Sequence, residues 1–369
     1  MIFVNERAPA VVTPVSYLRQ LDGLRAVAVV LVLVHHFVSP SPFGGWVGVY
    51  IFFTLSGYLI TSLLIGERKR TGKIMLGRFY LRRALRLYPP LLTAIVVLAP
   101  LGIATVGLLG YLRSTGIAAT YLTNIYVMLP GHGLLGWSHT WTLAVEEQFY
   151  FIWPMIFLWA FMSITKFWLV RVWILGALAA ASVLAASFLY SLGSVNLSPA
   201  LTFGALISGC VLALARDSWF GRVRASHGML GAIIIAVSVG VGSWEPIAGL
   251  ALALSTAGSL LLIAHLASGS GPLHRVLSIR PLAYIGTISY ELYLWHFPIL
   301  MYPTVLFGVT PGAFWWIALP ATFAFAALSH KFISVPLTRR WKPRLSSWGE
   351  PQTVPLVPPL ERGPDSRHG

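Results

Sequence analysis

Four segments of this chain place ionisable side chains among apolar neighbours. In DGLRAVAVVLVLVHH, Arg25 and His36 are eleven positions apart, which is three helical turns. They share nearly one helix face, with roughly 16 Å of axial rise between them. His35 stands next to His36, and a neutral imidazole in such a place can act as a base. In HTWTLAVEEQFY, His139 and Glu146 are seven apart and share a face. Glu146 and Glu147 are adjacent and point to different faces, so at most one of them is expected to look into a common cavity. ISYELYLWHFP contributes Glu291, Trp295 and His296, with Pro298 able to distort the helix beside them. In RFYLRRALRLYPP, Arg83 and Arg86 are helix-face neighbours, a pairing that suits a phosphate-bearing ligand.

Each of these residues also has a plainer reading. Arg25 can be an anchor that snorkels to a membrane surface, and the Arg83–Arg86 run can be an ordinary topogenic loop. Glu147 can be a hydrogen-bonded packing residue, and the segment around His296 can be an interfacial aromatic belt. Ionisable groups inside apolar helices are expensive and usually face a bundle interior or a cavity. The set as a whole is harder to explain by packing than any single member is.

The elements that would have to position these groups follow from composition. Of 369 residues, 57% are hydrophobic and 10% are charged, against about 25% charged in soluble domains. Aromatics make up 13%, which excludes a disordered chain. The expected class is an all-α, polytopic transmembrane helix bundle with about ten spans: 23–39, 45–65, 87–109, 140–162, 168–190, 198–215, 228–243, 247–266, 283–305 and 312–334. The more polar stretch 114–129 is read as a short half-span or interfacial helix on the outer side. Were it a full span, every later topology assignment would flip.

The net charge of +15 would suggest nucleic acid in a soluble protein, but its placement says otherwise. The 66–86 loop holds eight Lys/Arg, and further basic residues fall in the loops at 166–171, 216–224 and 275–280 and after the last span. The opposite loops (40–44, 191–197, 244–246, 306–311) hold none, and Arg113 alone falls on the outer side. This is the positive-inside pattern, with both termini cytoplasmic and no role for nucleic acid. Residues 1–16 are expected as a cytoplasmic tail without a cleavable signal, 17–335 as the transmembrane domain and 336–369 as a disordered, Pro-rich cytoplasmic tail. No internal repeat suggests transporter halves. Cys210, the one cysteine, reads as a small buried side chain.

With these motifs in order, the sequence resembles the acyltransferase 3 family of integral membrane O-acyltransferases over residues 17–335. The carriers are LDGLRAVAVVLVLVHH, GVYIFFTLSGYLIT, RFYLRRALRLYPP, HTWTLAVEEQFYFIWP and ISYELYLWHFP. The resemblance implies transfer of an acyl group, acetyl above all, from cytoplasmic acyl-CoA as co-substrate, with no metal. The implied acceptor is a hydroxyl of an extracytoplasmic or lipid-linked glycan, or of a small-molecule antibiotic. It puts catalysis on His36 and Glu146, and acyl-CoA binding on Arg25, Arg83 and Arg86. His36 would take the acceptor proton or carry the acyl group as an acyl-imidazole, with Glu146 orienting the ring. His139, His296 and Trp295 are expected on the acceptor side, with Trp137 and Trp141 as further candidates for stacking on a sugar. Thr142 stands where many members have Ser. The extracytoplasmic esterase-like domain that some members carry is not expected here, nor a second transfer step on it. The implied location is a bacterial cytoplasmic membrane. A glycolipid or proton-coupled transporter is the competing class, since intramembrane His and Glu also suit proton relays.

Overall fold

The computed structural model describes residues 18–347, apart from 39–43, 130–132, 163–166, 193–201, 220–221, 243, 245–246 and 269. The expected tail 1–16 and the residues beyond Ser347 lie outside this set. Among the described residues the fold is entirely helical, without strands. Apolar runs of this length leave the backbone no partner but itself in a bilayer, which is why they form helices.

In chain order the helices are α1 (Arg19–Phe37), α2 (Gly45–Thr71), α3 (Leu76–Ala119), α4 (Thr123–Val127), α5 (Trp141–Phe157), α6 (Trp168–Ser191) and α7 (Phe203–Leu214). They continue with α8 (Ala225–Val241), α9 (Leu250–Ser268), α10 (Pro272–Leu277), α11 (Arg280–Thr287), α12 (Ser289–Phe307), α13 (Trp315–Ser329) and α14 (Val335–Ser347). Among the described residues each of the ten predicted apolar segments overlaps helix, with 283–305 divided between α11 and α12. Among the described residues six helices are long and apolar enough to cross a membrane: α1, α2, α3, α6, α9 and the run Trp315–Trp341. Large apolar side chains such as Phe151, Trp159, Leu169 and Trp173 are exposed on the outside of the bundle, as lipid-facing residues are.

Two departures from the predicted boundaries bear on the site. Helix α3 starts at Leu76, so the arginine-rich approach is one continuous helix with the apolar run that follows. That helix is broken at Gly107 (φ 73°, ψ 166°), a backbone conformation that favours glycine. The stretch 114–129 is not a single helix: its first part completes α3, the chain turns at Tyr121 (φ 53°), and α4 follows. At the other end, a π-helical turn at His330–Ser334 joins α13 to α14, so helix continues to Ser347 within the expected tail.

Small residues set how closely the helices approach. Helix α2 packs on α7 where Gly57 and Gly209 interlock. A Cβ on Gly57 would meet the Leu206 carbonyl oxygen at 1.8 Å, and one on Gly209 the Thr54 carbonyl oxygen at 2.0 Å. Helix α1, which carries Arg25 and His36, is central: it packs on α2, α11, α10 and α12.

Candidate active site

Three helices build the site, each presenting one face that ends in an imidazole. On α1 that face carries Arg25 and, three turns on, His36. On α5 and the 3₁₀ turn before it, Glu146, Thr142 and His139 follow at steps of four and three. On α12, Tyr290, Tyr293 and His296 follow at steps of three. Such spacings align side chains along one side of a helix. The fourth contributor is α3, whose first turns bring in Arg83 and Arg86.

At the charged end lies a cavity of about 700 Å³. Arg25, Arg83, Arg86, Ser56, Glu146, Glu147 and Tyr290 line it, among others. Its arginines are not equivalent. Arg83 donates from Nη2 to Glu147 Oε1 at 2.5 Å, and its guanidinium carbon lies 3.4 Å from the centre of the Tyr150 ring. Arg86 is an exposed residue, and the surface it exposes is the cavity wall. Arg25 and Arg83 are its like-charged neighbours. Among the described residues Arg25 and Arg86 have no hydrogen bond or ion pair of their own. Unpaired guanidiniums around one cavity are an anion site in waiting. Glu146 accepts a hydrogen bond from Ser56 Oγ at 2.8 Å.

At the other end the imidazoles gather. The ring centroids of His36 and His296 are 5.0 Å apart, and those of His139 and His296 are 5.1 Å apart. Phe297 packs against all three, and His35 against His36. His36 Nδ1 lies 2.9 Å from the Val32 carbonyl oxygen, and His296 Nδ1 lies 2.6 Å from that of Tyr293. A carbonyl oxygen only accepts, so each Nδ1 carries the proton and each Nε2 of the neutral ring offers its lone pair. No group of three His, Cys, Asp or Glu among the described residues is arranged to hold a metal ion.

The model of the acyltransferase domain family matches residues 18–331, spanning both the arginine cavity and the histidine cluster. The chain belongs to the acyltransferase 3 family. It is 33% identical over 357 residues to the peptidoglycan O-acetyltransferase OatA of Listeria monocytogenes. It is 30% identical over 361 residues to the O-acetyltransferase OatA of Staphylococcus aureus. These alignments cover 88% of this chain but 56% and 58% of the relatives, so the chain spans little more than half their length. No solved structure matches.

Placed on this acyltransferase fold, the residues expected from sequence divide into two groups. Arg25, Arg83, Arg86 and Glu146 meet at the cavity, while His36, His139 and His296 meet in the cluster. Among the described residues Glu146 does not touch the His36 ring that it is expected to orient: it accepts from Ser56 Oγ, and His36 is held by its own helix through Val32. Of the adjacent carboxylates, Glu147 is the ion-pair partner of Arg83. Both line the cavity, against the expectation that at most one would, because Arg83 draws Glu147 to its wall. Trp137 and Trp295 are fully buried, and Trp295 stacks on Phe325 at 5.0 Å, so neither offers a ring face to a sugar. Trp141 is half-buried and packs with Trp46.

Four participants escaped the sequence reading: Ser56, Tyr150, Tyr293 and His330. His330 bonds through Nδ1 to Glu291 at 2.9 Å, and Ser334 joins it at 2.7 Å. No local spacing signals partners 39 and 43 positions away. The Tyr residues looked like the aromatic content of any membrane helix.

Proposed function

We propose that this acyltransferase moves an acyl group, acetyl above all, from cytoplasmic acyl-CoA to a hydroxyl of an extracytoplasmic or lipid-linked glycan. The observation that carries this reading is the cavity wall. Among the described residues Arg25 and Arg86 line one chamber with no direct ion pair, although Glu146 and Glu147 share its wall, and they lie at the opposite end of the same helical faces from a cluster of imidazoles. The chamber receives the phosphates of the donor through guanidinium hydrogen bonds, and its length leads the thioester towards His36. The charge distribution supports a bundle of about ten spans with both termini cytoplasmic, in a bacterial cytoplasmic membrane, so that the arginines open inwards. The likeness to the Listeria peptidoglycan O-acetyltransferase makes peptidoglycan the first glycan to try as acceptor.

In the reaction the acceptor oxygen attacks the thioester carbonyl, and its proton passes to His36 Nε2. The new C–O ester bond forms, the C–S bond breaks, and the leaving thiolate recovers the proton as CoA thiol. His36 suits this task because Val32 fixes its Nδ1–H and leaves Nε2 bare. The deciding experiment measures acyl-CoA binding and acceptor-dependent thiol release by purified protein, wild type beside His36→Ala. Binding by both, with thiol release from wild type alone, is the expected result. Failure of folded wild type to bind acyl-CoA would reject the reading and turn attention to transport.

A further inference from the structure

Tyr293 stands between the two halves of the site. Its side chain and Thr142 line the cavity, whereas His36, His139 and His296 do not. The imidazoles lie directly behind it: the Tyr293 ring centroid is 5.3 Å from that of His139 and 5.2 Å from that of His296. The phenol is fastened at its tip. Its hydroxyl donates to the His139 carbonyl oxygen at 2.8 Å and accepts from Thr142 Oγ1 at 2.7 Å. Tyr293 and Thr142 are both buried.

Behind this ring, both ring nitrogens of His139 and Nε2 of His296 are buried without a hydrogen-bond partner among the described residues. Orphaned buried polar atoms are costly, and in a native fold each calls for a partner such as water or a polar ligand. The arginines of the cavity and the imidazoles of the cluster are therefore on different sides of the Tyr293 ring.

We propose that Tyr293, latched by Thr142 and the His139 carbonyl, is the barrier an acyl group must pass to reach His36, and that it thereby selects small acyl groups. This rests on the reading that the cavity takes acyl-CoA. Two neutral hydrogen bonds are a modest restraint, within what donor binding can overcome. A ring that yields by a rotamer change lets an acetyl-sized group through and stops a long chain. While closed, it keeps water from one compartment out of the other, which protects the thioester from hydrolysis.

The test uses the full chain in lipid nanodiscs. Tyr293→Phe keeps the ring and removes both hydrogen bonds, and Tyr293→Ala removes the barrier. Because Tyr293 lines the donor cavity, each variant is assayed at saturating acetyl-CoA. Acceptor-independent thiol release from acetyl-CoA should rise about tenfold in Tyr293→Phe, as for a lid that no longer closes. Wild type should prefer acetyl-CoA to hexanoyl-CoA, and Tyr293→Ala should lose that preference. Unchanged hydrolysis and unchanged preference in both variants would overturn the proposal.

A second readout needs no activity. Phe297 packs among the imidazoles beyond the barrier. In a Cys210→Ala background, Phe297→Cys should react slowly with an impermeant maleimide applied from the arginine side of inside-out vesicles. Adding Tyr293→Ala should make it react fast, and equal rates would overturn the barrier. If labelling responds but wild type neither binds nor cleaves acyl-CoA, the barrier stands and the acyl-transfer reading falls.

Discussion

Arg83 and Glu147 form an ion pair at 2.5 Å, with about a quarter or less of either side chain exposed. Arg86, three residues along the same helix, has no such partner among the described residues. Two arginines that read as a pair in the sequence therefore do different work. Removing one partner of a mostly buried pair leaves an uncompensated charge, at a cost of about 3 kcal/mol or more. Arg83→Ala should lower the thermal unfolding temperature in detergent markedly. Arg83→Ala with Glu147→Ala together should recover part of the loss, as measured by a double-mutant cycle.

Arg86→Ala is the cleaner probe of donor binding, because no intramolecular ion pair is lost with it. A charge-assisted hydrogen bond contributes about 1.5–3 kcal/mol, so the acyl-CoA Kd should rise by about tenfold or more while the unfolding temperature barely moves. Arg25→Ala should behave in the same way. Added salt should weaken binding to wild type more than to either variant, since each has one less charge to screen. A titration of acyl-CoA at two ionic strengths checks both statements.

His36→Ala should abolish acceptor-dependent thiol release by about a hundredfold or more, the scale of a lost general base. Acyl-CoA binding should persist, because Arg25 lies three turns from His36 on α1, and Arg83 and Arg86, proposed with it to hold the phosphates, line a cavity that His36 does not. Near-normal turnover would remove His36 from the centre and leave His296, whose Nε2 is equally bare, as the candidate base.

The sequence showed much of this architecture because its signals are one-dimensional. Apolar runs mark helices, basic loops mark a membrane side, and a spacing of eleven on one helix fixes how Arg25 and His36 relate. Helix α1 is unbroken from Arg19 to Phe37, so that spacing holds in the fold. What stayed hidden depends on contacts between helices. Nothing local tells that Glu147 rather than Glu146 meets Arg83, 64 positions away, or that Glu146 turns to Ser56, 90 positions away. The tyrosine between the two compartments was equally invisible, since its role comes from Thr142 and His139 on another helix.

The Glu146–Ser56 contact separates two roles for that carboxylate. An acid that oriented His36 would make Glu146→Gln nearly as damaging as His36→Ala, and Ser56 would not matter. With Ser56 Oγ as the partner at 2.8 Å on the cavity wall, Glu146 instead shapes the chamber proposed for the donor. Glu146→Gln should then raise the acyl-CoA KM more than it lowers kcat, and Ser56→Ala should do the same to a smaller degree. Residues in one hydrogen bond couple by about 0.5–3 kcal/mol, so the double variant should be less impaired than the sum of the single effects. Strict additivity, or a pure loss of kcat in Glu146→Gln with Ser56→Ala silent, would return the carboxylate to the histidine.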